Sequence, residues 1–163
     1  MKPTSKSSTP DDPELQLAGF IEKFDPAVAA LIRSARRALQ KRLPTAQELV
    51  YDNYNFFVIG YSPTERPSDA FVSLAADRNG ATLFFIRGAG LPDPAGLLQG
   101  AGKQVRFVRC GSATTLALPA VEALLAAAAD RLDPGLRTAG KGKLIIRSVS
   151  AKQRPRRIAK PGQ

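Results

Sequence analysis

The apolar period of the chain changes at Pro44, and that switch limits the folds open to it. Before Pro44 the apolar residues recur at helical spacing. Asp12-Pro13 reads as an N-cap followed by proline at the first helical position. Leu17, Phe20, Ile21 and Phe24 then fall at i, i+3, i+4 and i+7, one stripe of a short helix. Asp25-Pro26 repeats the start signal. Val28, Leu31, Ile32, Ala35 and Leu39 form the stripe of a second helix, with Arg33, Arg36, Arg37 and Lys41 on its opposite face. Pro44 ends this helix because it disfavours helical geometry at the residue before it. Beyond it, residues 48–51 and 54–61 are rich in aromatic and β-branched side chains and read as a strand pair turning at Asp52-Asn53.

Residues 70–76 and 82–87 form two further expected strands, joined through Asp77-Arg78-Asn79-Gly80, where Asn-Gly supplies residues that tolerate positive φ. A Gly/Pro-rich connection over 88–102 leads to a strand at 104–110. Pro119 opens a last helix with its stripe at Val121, Leu124, Leu125, Ala128 and Leu132, stopped by Asp133-Pro134-Gly135. Residues 143–149 offer an edge strand or an extended strap, and the segment after them is expected to be mobile. Helices, then an antiparallel meander, then a helix make an α+β domain. The expected architecture is a two-layer sandwich, an antiparallel sheet covered by the N-terminal helices and a C-terminal helix. The expected organisation is a disordered stretch over 1–12, the domain over 13–133, and a basic, mostly flexible extension over 134–163.

The net charge is +10, and its placement matters more than its size. Of the 24 Lys and Arg residues, nine lie within residues 134–163, which contain no acid; the other 15 share residues 1–133 with all 14 acids. A basic run of this kind attracts phosphate backbones or anionic surfaces, or serves as a solvated tail. Its candidate contacts for nucleic acid are Lys141, Lys143, Lys152, Arg154, Arg156, Arg157 and Lys160. A lone cysteine, Cys110, cannot form an internal disulfide. No apolar leader and no run approaching the ~18 apolar residues of a membrane span is visible. A cytoplasmic protein with no membrane contact is the expectation.

The chain has no histidine, which removes Ser-His-Asp and Cys-His catalysis and HExxH zinc chemistry together. The Gly100-Ala101-Gly102-Lys103 run suggests a phosphate loop, but Gln104 stands where the Walker pattern needs Ser or Thr, and a strand follows. What remains is a generic anion pocket from Arg87, Lys103 and Arg106. The acids Asp11, Asp12, Glu14, Glu22 and Asp25 are the notable carboxylate cluster. They offer either a weak cation site or charge complements to the helix N-termini. Tyr51, Tyr54, Phe56 and Phe57 lie close together, and aromatics beside cations can stack bases. No RNP-like motif is present, however, and aromatic strands usually face the core, so nucleic-acid binding would rest on the tail.

The pattern VYDNYNFFVIGY, SPTERPSDAF and FFIRGAGLPDPAGLLQGAGKQVRFVR, ending in an Ala-rich helix, resembles the YdhG-like family over about residues 13–132. The run from Gly88 to Lys103 is its specific part. The resemblance implies a frataxin-like α/β sandwich and a proposed role as an iron chaperone, with iron held by the acids named above. The sequence departs from that pattern in its basic second helix and in Phe107 within Arg-Phe-Val, where relatives often carry histidine. The expected function is a non-enzymatic binding module for an anionic macromolecule or small anion, with no cofactor. The alternatives are iron handling, and an unfamiliar enzyme using Asp52, Tyr51 or Lys103 as base.

Overall fold

The computed structural model describes residues 12–158. Two helices open it, α1 (Pro13–Glu22) and α2 (Pro26–Arg42). Asp12 caps α1 by accepting the Glu14 N–H at 3.0 Å and belongs to the folded unit; the rest of the expected disordered stretch, residues 1–11, lies outside the described residues. Four strands follow: β1 (Gln47–Asp52), β2 (Phe57–Ser62), β3 (Val72–Asp77) and β4 (Gly80–Phe85). They continue into β5 (Arg106–Cys110), α3 (Pro119–Asp130) and β6 (Leu144–Val149).

The six strands form one sheet in the order β5-β4-β3-β2-β1-β6. Strands β1 to β5 are an antiparallel meander, as the turn signals imply. At the β3–β4 hairpin Gly80 takes φ 139° and Asp77 accepts the Asn79 N–H at 2.8 Å; among the described residues positive φ falls only on glycines. The sheet departs from the all-antiparallel expectation at β6, which pairs parallel to β1, with a register shift between Val50 and Tyr51. A parallel neighbour needs a crossover, and the chain from β5 through α3 supplies it.

Side chains alternate across the strands, and one face joins the helices in a single apolar core. Val50, Ile59, Leu74, Leu83 and Val108 cross that face from β1 to β5 and pack with Leu17 and Ile21 of α1, Ile32 and Leu39 of α2, and Val121 and Leu125 of α3. The opposite face carries Val58, Ser73, Ala75, Thr82, Phe84 and Phe107, all half-buried. The architecture is α+β. No helix among the described residues is long and apolar enough to cross a membrane.

The Gly/Pro-rich connection between β4 and β5 is ordered by its own side chains. Asp93 accepts the Leu97 and Leu98 N–H groups, each at 2.9 Å, and these leucines pack on the core. Gln99 exchanges two 2.9 Å backbone bonds with Phe107, adding a short bridge to the edge of β5. Gly88 is fixed by crowding: a Cβ there would sit 2.8 Å from that of Arg106 and 2.9 Å from that of Phe85.

Candidate functional site

The core-facing side of β1 carries two acids, Glu48 and Asp52, both buried under the helices. Burying a carboxylate is tolerable only when its lone pairs are met by charged donors. Glu48 meets that condition on all sides. Arg36 donates to its Oε1 at 2.8 Å and its Oε2 at 3.0 Å, Gln40 donates to Oε1 at 3.2 Å, and the Tyr61 hydroxyl donates to Oε2 at 2.8 Å. The same guanidinium forks to Glu14 at 3.0 and 3.1 Å, tying α1 to α2. Burial works against the Arg36 charge, but the bonds and charges of Glu48 and Glu14 outweigh it and hold its pKa above the usual arginine value. Burial, then the Glu48 charge and hydrogen bond, push the Tyr61 phenol well above its ordinary pKa. This cluster floors a cleft of about 730 Å³ bounded by the end of α2 and by Gly140, Lys141 and Gly142. A neutral phenol and a carboxylate occupied by four donor contacts leave no base ready to take a proton. The cluster positions α1 and α2 on the sheet.

Asp52 is completely buried and anchors the end of the chain. Lys23 donates to its Oδ2 at 2.7 Å and Arg156 to its Oδ1 at 2.9 Å. Arg156 also donates to the carbonyls of Asn53 (2.7 Å) and Asn55 (3.3 Å), and its guanidinium lies 5.8 Å from the Phe24 ring centroid. Arg157 donates to the carbonyls of Glu22 and Lys23, both at 3.1 Å, placing a cation at the C-terminal end of α1. The Ile158 N–H donates to Asp25 at 3.1 Å. The expectation of a mostly flexible extension is therefore corrected over residues 144–158: β6 completes the sheet and the following residues strap across β1 and α1. Arg156 is a buried anchor, and Arg157, though exposed, is engaged by the carbonyls at the end of α1. Like-charge composition suggested solvation; the buried acid that Arg156 meets lies 104 residues away and leaves no local signal.

The remaining expected sites disperse. Arg106 turns onto its own loop, donating to the carbonyls of Gly102 (2.6 Å) and Val105 (2.8 Å). Lys103 is exposed beside it. Arg87 is exposed and lines a depression with Ser68, Asp69 and Asp133 that includes neither of the other two. Lys143 pairs with Glu65 at 3.1 Å, and Lys141 and Lys152 are exposed. Of the acid cluster, Asp12 caps a helix, Glu14 holds Arg36, Asp25 holds Ile158, and Glu22 is exposed. Among the described residues no group of three or more His, Cys, Asp or Glu is arranged around a metal position. Asp11 and Lys160 lie outside the described residues. Burial raises the Cys110 thiol to about 11, so it stays protonated.

A different group comes together at the hairpin tips. Tyr54 and Phe56, at the β1–β2 turn, are 48% and 46% exposed. Arg154 from the strap lies 5.4 Å from the Tyr54 ring centroid, donates its backbone N–H to the Tyr54 carbonyl at 2.8 Å, and bonds Asn55 Oδ1 through Nε at 2.7 Å. Arg154 and Asn55, together with Phe56, Arg78 and Asn79, border a cleft of about 260 Å³, and Tyr54 adjoins it through Arg154. Sequence reading found the aromatics but not their company, because Arg78 and Arg154 arrive from other parts of the chain. No family model, curated protein or solved structure matches this chain.

Proposed function

We propose that the protein is a non-catalytic binding module for an anionic macromolecule. The observation that carries this reading is that most acids among the described residues are already engaged within the fold, while many cations are not. Glu14, Glu48, Asp52, Glu65, Asp69 and Glu122 each hold a lysine or arginine. Asp12, Asp25, Asp77 and Asp93 accept backbone N–H groups. Arg78, Arg87, Lys103, Arg109, Lys141, Lys152 and Arg154 remain exposed, with no acid in ion-pair reach among the described residues. Among the described residues only Glu22, Asp130 and Asp133 are exposed acids without a cation in ion-pair reach, so exposed cations exceed exposed free acids and attract polyanions over the screening length of the solution.

The test is binding to heparin and to a fluorescent duplex DNA, measured from about 50 mM to about 200 mM salt. The expected result is affinity that falls linearly with log salt, with a smaller slope when Lys103, Lys141 and Lys152 are changed to Gln. Absence of binding to every polyanion at the lowest salt would overturn the reading. Chain truncation before β6 is not a usable test, because it removes the partner of Asp52 along with the charge.

A further inference from the structure

We propose that the cleft between the hairpin tips is a stacking site for one base of a single-stranded nucleic acid. This deepens the polyanion reading and rests on it. Exposed aromatic rings stack on bases, and each ring face is worth a sequence-tolerant gain in affinity. Phe56 is about half exposed at the cleft wall and is absent from the apolar core, so folding does not account for its position. Tyr54 already carries the Arg154 guanidinium beside its ring, an arrangement that extends a stack rather than ending it.

The chemistry around the rings matches a nucleotide in its separate parts. Arg78 and Arg154 place two unpaired cations beside the rings, suited to the phosphates on either side of a stacked base. Asn79 brings a side-chain amide that offers a donor and an acceptor at a base edge, while Asn55 Oδ1 already accepts from Arg154. Asp77 is the single acid at the cleft, and one of its oxygens holds the Asn79 N–H. A duplex keeps its base faces covered by stacking, so this arrangement selects the single strand. The strap supplies Arg154 and positions it through Asn55, so the ordered end of the chain builds the site.

The experiment compares two labelled strands by fluorescence anisotropy: an oligothymidylate and an abasic phosphodiester of the same length. The natural chain contains no tryptophan, so Phe56→Trp also places a single emitter at the cleft. We expect the base-bearing strand to bind on the order of 10-fold or more tighter than the abasic strand, as for one stacked base. Phe56→Ala and Tyr54→Ala should erase that difference while leaving abasic binding intact. Phe56→Trp should preserve it, with emission quenched on binding. Arg78→Gln should weaken both strands alike. Equal binding of the two strands by the natural protein, or unquenched emission in the saturated Trp variant, would overturn the stacking site and leave the polyanion reading standing. No binding to either strand, to duplex or to heparin would remove both.

Discussion

Replacing Arg156 by methionine tests how the end of the chain is held. Methionine keeps the length and apolar stem of the side chain but removes the guanidinium from Asp52 and from the carbonyls of Asn53 and Asn55. Deleting one partner of a buried ion pair costs about 3–5 kcal/mol, because the other charge is left uncompensated. Asp52 is completely buried, which favours the full cost, but it keeps Lys23 at 2.7 Å, whose side chain is 41% exposed. The expected loss is therefore about 3 kcal/mol, the low end of that range. With a urea slope of about 2 kcal/mol/M, the unfolding midpoint should drop by about 1.5 M. Urea titration followed by far-UV circular dichroism measures this, and trypsin should cut residues 150–158 faster in the variant. The double variant Arg156→Met with Asp52→Asn removes the stranded charge. It should be less destabilised than the two single changes added together, with a coupling of about 1 kcal/mol or more. A single-variant loss under about 1 kcal/mol, or strict additivity, would refute the reasoning that Asp52 is an obligate anchor.

Three other outcomes follow from the same geometry. A Cβ at Gly142 would fall inside the van der Waals shell of the Ala46 carbonyl, so Gly142→Ala should cost about 1–3 kcal/mol and speed amide exchange along β6; wild-type exchange there would contradict it. The native Cys110 thiol holds its proton to about pH 11 whereas the unfolded thiol releases it near 9.0. Stability is therefore complete below pH 9 and falls by about 2 kcal/mol as the pH rises towards 11. Tyr61 adds a loss of the same sign above pH 10. Cys110→Ala should flatten the decline that begins near pH 9, as read by urea midpoints at stepped pH. Asp93→Ala orphans two half-buried N–H groups and should cost about 1–2 kcal/mol, with the Leu97 and Leu98 amides exchanging faster; unchanged exchange would show that the loop is held by something else.

Local chemistry made the element order legible. Asp-Pro starts, the Pro44 stop and Asn79-Gly80 act within a few residues, so they can be read without knowing the fold. The polar interior could not be read this way. Strand alternation puts either Glu48, Val50 and Asp52 or Leu49 and Tyr51 under the helices, and hydrophobicity alone favours the second set. The first set is chosen because Arg36, Lys23 and Arg156 reach the acids from three separate segments. Arg36 sits among basic neighbours on what reads as the solvent face of α2, yet it is half-buried against β1. The same limitation hid the end of the chain, whose partners are all distant in sequence. The fate of Arg106 was hidden for a related reason: proximity along a loop does not fix where a long side chain ends, and Arg106 donates to its own loop carbonyls.

The parallel pairing of β6 with β1 has a consequence for how copies of the chain meet. Among the described residues only β6 covers the outer edge of β1, and β6 reaches it through residues 131–143, a tether that spans roughly 40 Å when extended. Neither the ladder nor the Arg156–Asp52 lock records which molecule supplied the strand. A second chain can insert its own β6 and strap into the same position and donate the same bonds, in the manner of a domain exchange. Protein concentration and tether length, rather than any new contact, are what such an exchange depends on.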